Sequence, residues 1–294
     1  MALPEPASSL LPVPATAAGR EGLAAIVANP VRALIGLDFD GTLAPMTAEP
    51  SATIAHPGAS PAIRRLAASV GTVAVVTGRP PEVAATILGF TAVGPPPNVF
   101  VVGHYGLETW TSAAGVVRLA GVDLGPIDVL RTELPVLLRD VGAPAGTAIE
   151  DKGASLAVHV RRTDDPRSAM ELLRVPLEHL AVVHGLRLEP GRLVLELRPR
   201  GAEAAGTDKG TALTSLVHAR AARSVCYVGD DLGDLAAFDA LADLRAAGVP
   251  GLGIFSGPAD LAEVAEVAAR ADLALAGPGA VVGFLDALQR GVRA

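Results

Sequence analysis

Two carboxylates stand two residues apart in residues 33–45, ALIGLDFDGTLAP. The apolar start of this segment predicts a buried strand, and Asp38 and Asp40 follow at its end. Residues i and i+2 of a strand point the same way, so these carboxylates repel each other unless a cation neutralises them; oxygen ligands suit a divalent ion such as Mg²⁺. Gly41 permits a sharp turn, and Thr42 adds a hydroxyl and a free amide that attract an anion such as phosphate. The spacing therefore predicts a metal ligand, a carboxylate nucleophile and a phosphate cradle in one place.

Polar residues flank predicted core elements at three further places. VVTGR puts Thr77, Gly78 and Arg79 directly after a second apolar strand, and TDKG puts Lys209 at the start of a helix-like stretch. YVGDDLGD puts an acidic cluster at the end of another strand, namely Asp230, Asp231 and Asp234. Ligands of open α/β sheets bind at the carboxyl ends of the strands, so we expect these side chains to converge there.

The order of apolar and amphipathic stretches predicts two modules. Strand-like runs alternate with helix-like runs over residues 21–106 and 200–294, which is typical of an α/β fold, a Rossmann-like parallel sheet with helices on both faces. Over residues 107–199 the strands come in pairs, such as LETWT with VVRLA and LRLEP with LVLELRP, and helix-like stretches lie near 126–140 and 165–180. This pattern predicts an inserted α+β module with an antiparallel sheet. Residues 1–20, rich in Ala and Pro, are expected to be a flexible tail.

The composition argues against several classes of function. A net charge of −7 and an aromatic content of 3% disfavour nucleic-acid binding, which needs a basic surface. No apolar run reaches transmembrane length, and the first twenty residues lack the basic start and continuous apolar core of a secretory signal. We therefore expect a cytoplasmic protein without membrane contact, for which a monomer is the simplest state. The single cysteine, Cys226, leaves no internal disulfide.

The motifs DFDGTL, TGR, DKG and GDDLGD, in this order, resemble the four motifs of the haloacid dehalogenase-like hydrolase superfamily. The insertion between the second and third motifs resembles the C2 cap class of that superfamily, and its paired strands resemble the C2B type. The resemblance implies that Asp38 is the nucleophile, which forms an aspartyl-phosphate, and that Asp40 is the general acid and base.

The same resemblance implies the roles of the remaining motif residues. Thr77 and Lys209 would bind the transferring phosphoryl group and offset its charge. Mg²⁺ would be held by Asp38, Asp230 and the backbone carbonyl of Asp40. Asp231 and Asp234 would lie behind the metal site and orient Lys209.

Three further segments resemble the trehalose-6-phosphate phosphatase family: GHYGLE, EDKGASLAVHVR and LELRP. The resemblance implies a phosphorylated disaccharide as substrate, hydrolysed to trehalose and inorganic phosphate. It implies substrate contacts from Gly41, Thr42, Gly78, Arg79, His104, Tyr105, Glu150, Lys152, Glu196 and Arg198. The chain departs from the family where Tyr105 replaces the usual histidine, and where Gly233 and Leu235 replace a hydroxyl residue and a carboxylate.

Alternatives remain open at this stage. Glu196 fits a solvated strand face as well as a sugar contact, Arg79 fits a pair with an acid, and His104 fits a buried core histidine. For the whole chain, the rivals are a phosphatase acting on sucrose phosphate or a glycosyl-3-phosphoglycerate, a phosphomutase, and a catalytically silent regulatory module. The sequence mark of a silent module would be loss of the motif acids or of the motif lysine, and all of them are present.

Overall fold

The structure is a computed structural model that describes residues 11–47, 52–119, 122–191, 193–200, 208–258 and 264–293. The chain divides into two compact units: Met1–Val117 with Asp208–Ala294, and Arg118–Thr207. We call the first unit the core and the second the cap. The first division differs from the predicted boundary at 106/107, because residues 107–117 stay with the core. Between the predicted boundary at 199/200 and the second division, residues 201–207 lie outside the described ranges. The specificity role predicted for the inserted module remains a prediction.

The described ranges contain β1 (Ala33–Leu37), β2 (Thr72–Val76), β3 (Val99–Gly103), β4 (Glu108–Thr111), β5 (Gly115–Arg118), β6 (Ala148–Asp151), β7 (Leu156–His159), β8 (Leu186–Gly191), β9 (Val194–Pro199), β10 (Ser224–Gly229), β11 (Gly251–Ser256) and β12 (Leu273–Leu275). The helices are α1 (Ala17–Ala28), α2 (Ala59–Ala67), α3 (Pro81–Ile87), α4 (Gly125–Asp140), α5 (Pro166–Val183), α6 (Lys209–Ala219), α7 (Leu235–Ala246), α8 (Ala265–Arg270) and α9 (Pro278–Gly291). None of the helices in these ranges combines the length and apolar character that crossing a membrane requires.

The core is built on one eight-stranded sheet, in the order β12-β11-β10-β1-β2-β3-β4-β5. The strands from β12 to β3 pair in parallel. Every residue of β1, β2, β10 and β11 is buried, as expected for a parallel sheet covered on both faces. The predicted α/β class with a parallel core sheet is confirmed.

Alternate residues of the central strands pack into different helix layers. Ile35 of β1 lies in one apolar cluster with Ile63 of α2 and Leu285 of α9. Its neighbour Leu34 lies in another cluster, with Leu213 of α6 and other residues of α7 and β10. Because successive strand side chains point to opposite faces, one short apolar run anchors helices on both sides.

LETWT is the neighbour of VVRLA in a sheet, as predicted, but the placement of this pair inside the inserted module is wrong. These segments form β4 and β5, which extend the core sheet, and β4 pairs antiparallel with β3. The physical reason is the tight turn His104–Gly106, which reverses the chain directly after β3. The next segment therefore returns along the strand that it has just left.

The expected tail of residues 1–20 is too long, because helix α1 begins at Ala17. Thr16 caps this helix by accepting a hydrogen bond from the Gly19 amide at 2.9 Å, and its hydroxyl donates to Asp272. The Ala15 amide donates to the Asp272 carbonyl at 2.7 Å. These contacts tie the start of α1 to the core, whereas residues 1–10 lie outside the described ranges.

The cap has the predicted α+β character. Its four-stranded antiparallel sheet has the order β6-β7-β9-β8. Helices α4 and α5 bury one apolar stripe each, at i, i+4 and similar spacings, against the sheet. The stripes include Leu130, Leu134, Leu173 and Leu177, which share one cluster with residues of β7 and β9.

We predict that Gly22→Ala destabilises the core, although alanine is the better helix former. Helix propensity alone favours the change by about 1 kcal/mol. A β-carbon at Gly22 would lie 1.9 Å from the Gly251 carbonyl oxygen, so α1 would have to move off β11. We expect a net loss of about 2 kcal/mol or more in the free energy of unfolding, measured by denaturant titration. Glu21→Ala, at an exposed neighbour, is the control and should change stability by less than about 0.5 kcal/mol; equal effects of the two changes would contradict this account of α1.

Candidate active site

The predicted motif residues meet at the carboxyl edge of the core sheet. Asp38 follows β1, and its amide donates to the Val228 carbonyl of β10 at 2.8 Å. Thr77 follows β2, and its amide donates to the Val102 carbonyl of β3 at 2.9 Å. Asp230 follows β10 directly. Neighbouring strands thus deliver these side chains to one edge, as the parallel order requires.

Lys209, the first residue of α6, bridges two of the aspartates. Its Nζ donates to Asp38 Oδ1 at 2.6 Å and to Asp234 Oδ1 at 2.8 Å, and all three side chains are buried. Burial acts to lower the pKa of Lys209, but the carboxylates of Asp234 and Asp38 more than offset it, so the pKa lies well above its ordinary value. The lysine is therefore a fixed positive charge beside Asp38.

Asp234 is the most completely hydrogen-bonded carboxylate of the site. Besides Lys209, its Oδ1 accepts from the Tyr227 hydroxyl at 2.6 Å. Its Oδ2 accepts from the amides of Asp230 and Asp231 at 2.9 and 3.2 Å. These four bonds fix both Lys209 and the loop after β10, which agrees with the orienting role implied for Asp234. Sequence patterns did not predict a site role for Tyr227, because it lies in the apolar run of β10.

The arrangement fits a divalent cation held by Asp38 and Asp230. Carboxylate oxygens of Asp38, Asp230 and Asp234 lie within 4.8 Å of one another. Asp234 is already satisfied, whereas Asp230 Oδ1 is buried and has no hydrogen-bond partner in the described part of the chain. Burial, followed by the charges of Asp38 and Asp234, raises the pKa of Asp230 far above its usual value. A positive charge at this oxygen would remove that penalty.

Gly41 is required by the packing of this acidic site. Its φ is +80°, in the left-handed region. A β-carbon at this position would lie 1.9 Å from Asp230 Oδ2. The Ser256 hydroxyl, at the end of β11, donates to the Gly41 carbonyl at 2.8 Å and fixes the turn. Thr42 is fully buried, and its Oγ1 also has no partner among the described residues.

Asp40 is held by Arg79 in a bidentate ion pair. The Nε and Nη2 atoms of Arg79 donate to the two carboxylate oxygens of Asp40, each at 2.7 Å. Nη2 also donates to Thr53 Oγ1 at 2.7 Å, and the guanidinium lies over the Phe39 ring. Of the two interpretations of Arg79, pairing with an acid is the one observed; its contact with substrate remains a prediction.

The segment GHYG forms a strained turn against the second motif. His104 and Tyr105 have φ values of +49° and +56°, which non-glycine residues rarely adopt. Their amides donate to the carbonyls of Arg79 and Thr77, each at 3.1 Å. A β-carbon on Gly78 would lie 2.6 Å from the Tyr105 hydroxyl, so the phenol rests on the second-motif loop.

His104 and Tyr105 differ in exposure. His104 is buried, and its Nε2 lies 3.6 Å from Glu108 Oε2, which agrees with the alternative of a core histidine. Tyr105 is half-buried and takes the more accessible position in the turn. The substrate contacts of both residues remain predictions.

The cap brings its predicted binding residues together around Glu196. This glutamate is buried, which excludes the solvated strand face. Its Oε2 accepts from Lys152 Nζ at 2.7 Å, and its Oε1 accepts from the Ser155 hydroxyl at 2.6 Å. Burial acts to raise the pKa of Glu196, but Lys152 and then Arg198 lower it further than burial raises it. Ser155 was missed, because a single serine at a strand start gives no sequence signal.

Two other predicted cap residues have acid or base partners of their own. Glu150 is half-exposed, and its Oε2 lies 2.7 Å from His159 Nε2. Arg198 is buried, and its Nη1 lies 3.8 Å from Glu189 Oε2. The cap therefore holds one buried acid–base pair, Lys152 with Glu196, flanked by further charged residues.

Comparisons with known proteins agree with this fold and identify the family. Residues 36–258 match the family model described as trehalose-phosphatase. The chain is 31% identical over 261 residues to a trehalose-phosphate phosphatase of Mycobacterium bovis. The matched region covers 87% of this chain and 61% of that relative. It is 30% identical over 215 residues to a trehalose-phosphate phosphatase of Mycobacterium marinum, covering 71% of this chain and 52% of that relative. The chain thus spans less than two thirds of the length of these curated relatives.

Solved structures show the same fold at lower identity. A trehalose-6-phosphate phosphatase of Aspergillus fumigatus superposes with a TM-score of 0.63 at 22% identity, over 95% of this chain and 99% of that one. A haloacid dehalogenase-like hydrolase of Bacteroides thetaiotaomicron superposes with a TM-score of 0.57 at 18% identity, over 87% and 98%. The fold is therefore that of the haloacid dehalogenase-like hydrolases. Within that class, the chain belongs to the trehalose-phosphatase family.

We predict that Asp230→Asn stabilises the protein when divalent cations are chelated. The folded-state pKa of Asp230 is raised to about 11, so folding at neutral pH requires this acid to take up a proton, and that cost disappears below its unfolded pKa. The gain should be about 1–3 kcal/mol at pH 7 and vanish near pH 4. Thermal unfolding in chelator, over this pH range, measures it.

Asp243→Asn is the matched control, since it removes one charge from an exposed site on α7. It should leave stability within about 0.5 kcal/mol at both pH values. Added Mg²⁺ should stabilise the unsubstituted protein and not Asp230→Asn. A lower melting temperature for Asp230→Asn in chelator would contradict the assignment of a cation deficit to this acid.

We predict that Lys152→Met destabilises the cap strongly and in a pH-dependent way. It leaves Glu196 buried without its closest cation, at a cost of about 3 kcal/mol near pH 7. The loss should shrink toward pH 4, because the lowered pKa of Glu196 stabilises the native protein only above the unfolded value, and the stranded acid can protonate. Denaturant titrations at the two pH values measure this. Arg174→Met breaks an exposed i,i+4 pair with Glu178 and should cost about 0.5 kcal/mol at most; equal losses would refute the buried-pair account.

Proposed function

We propose that the chain is a Mg²⁺-dependent phosphatase that hydrolyses trehalose 6-phosphate to trehalose and inorganic phosphate through an aspartyl-phosphate. The observation that supports it most is the 2.6 Å contact of Lys209 Nζ with Asp38 Oδ1 at the buried carboxyl edge of the sheet. The names of the curated relatives support the substrate. The chain spans only part of those relatives, so their activity enters here as a proposal.

Asp38 would act as the nucleophile. One of its oxygens would form a bond to phosphorus while the bond from phosphorus to the sugar oxygen breaks. Water would then attack phosphorus, release inorganic phosphate and restore the Asp38 carboxylate. Lys209 and Thr77 would bind phosphoryl oxygens as negative charge builds up on them. The burial of Lys209 supports this role, because a fixed cation is most effective where water is excluded.

Asp40 would handle the proton in both steps. It would protonate the leaving sugar oxygen first and later accept a proton from the attacking water. Arg79 donates a hydrogen bond to each oxygen of Asp40, both at 2.7 Å. The ion pair would therefore have to open at one oxygen before Asp40 delivers a proton.

Asp38, Asp230 and the backbone carbonyl of Asp40 would hold Mg²⁺. When bound, the ion would supply positive charge against the phosphate and the clustered carboxylates. Asp230 Oδ1, which has no hydrogen-bond partner within the described ranges, supports this assignment. Asp234 is excluded from the ligand set because four hydrogen bonds already occupy its oxygens.

Cap residues would recognise the sugar. Carboxylates accept hydrogen bonds from sugar hydroxyls and lysine donates them, so Glu196 with Lys152 offers both functions in one place. Glu150, Arg198 and Tyr105 would add further contacts. A cytoplasmic location, a monomeric state and the absence of nucleic-acid or membrane partners remain predictions from composition.

The proposal is tested by phosphate release from a panel of esters, with Mg²⁺ and with chelator. The panel contains trehalose 6-phosphate, sucrose 6-phosphate, glucose 6-phosphate, glucosyl-3-phosphoglycerate and p-nitrophenyl phosphate. We expect Mg²⁺-dependent release with a strong preference for trehalose 6-phosphate. Asp38→Asn is the control: it should abolish release, by a factor of about 10⁴ or more, and leave the circular dichroism spectrum unchanged.

Each other result points to a different error. Preferred release from another sugar phosphate would preserve the chemistry of the core and reject the sugar assignment of the cap. Appreciable turnover by Asp38→Asn would reject Asp38 as the nucleophile. Release from none of the esters would favour a catalytically silent module.

A further inference from the structure

Tyr227 is a buried tyrosine outside the four motifs, and it contacts the candidate active site through Asp234. Its hydroxyl donates to Asp234 Oδ1 at 2.6 Å, and the side chain is completely buried. The same oxygen accepts from Lys209 Nζ at 2.8 Å, and that ammonium donates onward to Asp38 Oδ1 at 2.6 Å. Tyr227, Asp234, Lys209 and Asp38 therefore form one continuous chain of hydrogen bonds.

The proton of this hydroxyl can point in only one direction. Asp234 also accepts from an ammonium and from two backbone amides, and the Tyr227 hydroxyl is the donor in its own contact with Oδ1. Burial raises the pKa of the Tyr227 phenol well above its ordinary value, so the phenol keeps its proton. A neutral donor and a charged donor thus share one oxygen atom of Asp234.

The sheet makes room for the Tyr227 ring by placing a glycine beside it on β1. Gly36 of β1 and Gly253 of β11 are the cross-strand neighbours of Tyr227. A β-carbon at Gly36 would lie 3.0 Å from Tyr227 Cδ2. The ring meets Phe238 edge-on, with 5.8 Å between the centroids. A β-carbon at Gly253 would instead meet Leu241 and Phe238. Glycine weakens a strand interior, so Gly36 beside the ring indicates that the placement of this ring matters.

We infer that Tyr227 is a positioning residue for phosphoryl binding, which acts through Asp234 on Lys209. Because the phenol occupies part of Asp234 Oδ1, Lys209 is shared between Asp234 and Asp38 and keeps its ammonium at the nucleophile. Without the phenol, Asp234 attracts Lys209 more strongly, and the ammonium withdraws from Asp38 and from the phosphoryl group. The inference rests on the proposed function for its catalytic meaning, but the contact itself can be tested by anion binding.

Tyr227→Phe tests this inference, because it removes one oxygen and keeps the ring. The probe is tungstate, a phosphate-like anion, titrated calorimetrically in the presence of Mg²⁺. We expect the dissociation constant to rise about tenfold, the effect of losing one hydrogen bond to a charged group. The kcat/KM values for trehalose 6-phosphate and p-nitrophenyl phosphate should fall by the same factor, since the phenol acts on the phosphate end that both esters share.

Val225→Ala is the matched control. Val225 is buried in the same apolar cluster, two residues earlier on β10, so its truncation damages packing without touching Asp234. It should lower the melting temperature and leave the tungstate dissociation constant unchanged. Tyr227→Phe with wild-type tungstate affinity, or Val225→Ala with the same loss of affinity, would overturn the inference.

A double-mutant cycle with Asp234→Ala separates positioning from packing. If Tyr227 acts through Asp234, Tyr227→Phe should cause no further loss of tungstate affinity once Asp234 is alanine, whereas additive losses would overturn the inference. The comparison with Val225→Ala decides alone if Asp234→Ala does not fold. If the unsubstituted chain binds tungstate but hydrolyses no ester, the proposed function is refuted and the tungstate data still decide on Tyr227. If it hydrolyses the esters but does not bind tungstate, the inference is overturned and the proposed function stands.

Discussion

One buried ammonium among four aspartates is the interaction on which the site depends. Lys209 lies between Asp38 and Asp234, and the loop after β10 adds Asp230 and Asp231. A single positive charge cannot neutralise this cluster, so part of it stays electrostatically unsatisfied. Burial, together with this excess negative charge, raises the pKa of Asp230, and its Oδ1 has no hydrogen-bond partner among the described residues. A site built in this way favours a cation and, through that cation and Lys209, an anionic ligand.

The core sheet is shaped to hold that cluster in place. Glycine occurs where backbone or ring must approach closely: Gly41 faces Asp230, and Gly36 faces Tyr227. Parallel neighbours deliver Asp38, Thr77 and Asp230 to one edge, and the start of α6 delivers Lys209. The stability of the sheet comes from burial on both faces, so the charged edge can remain unfavourable without unfolding the core.

Sequence patterns predicted the parts of the site that have short-range signals. Asp38 and Asp40 follow a strongly apolar run, and Lys209 begins a helix-like run. Such runs can be recognised in the sequence without a structure. The turn at His104 and Tyr105 could not be predicted from the sequence, because hydrogen bonds to the second motif impose its left-handed backbone. For that reason β4 was assigned to the wrong sheet.

Side-chain partners were the least predictable feature. The pairs of Arg79 with Asp40 and of Tyr227 with Asp234 join segments that periodicity does not relate to each other. The burial of Glu196 was also undecided, since alternation gives a strand two faces and does not say which of them another element covers. The hydroxyl of Ser155, which directly precedes β7, donates a hydrogen bond to Glu196 of β9.

The most direct test of the central claim is to locate the covalent phosphate. The chain would be acid-quenched during turnover of trehalose 6-phosphate with Mg²⁺, reduced with borohydride, which converts a phosphorylated aspartate to homoserine, and sequenced by mass spectrometry. The account predicts homoserine at position 38 and aspartate at position 40. Homoserine at another position, or none during active turnover, would contradict the assignment of Asp38 as the nucleophile held by Lys209.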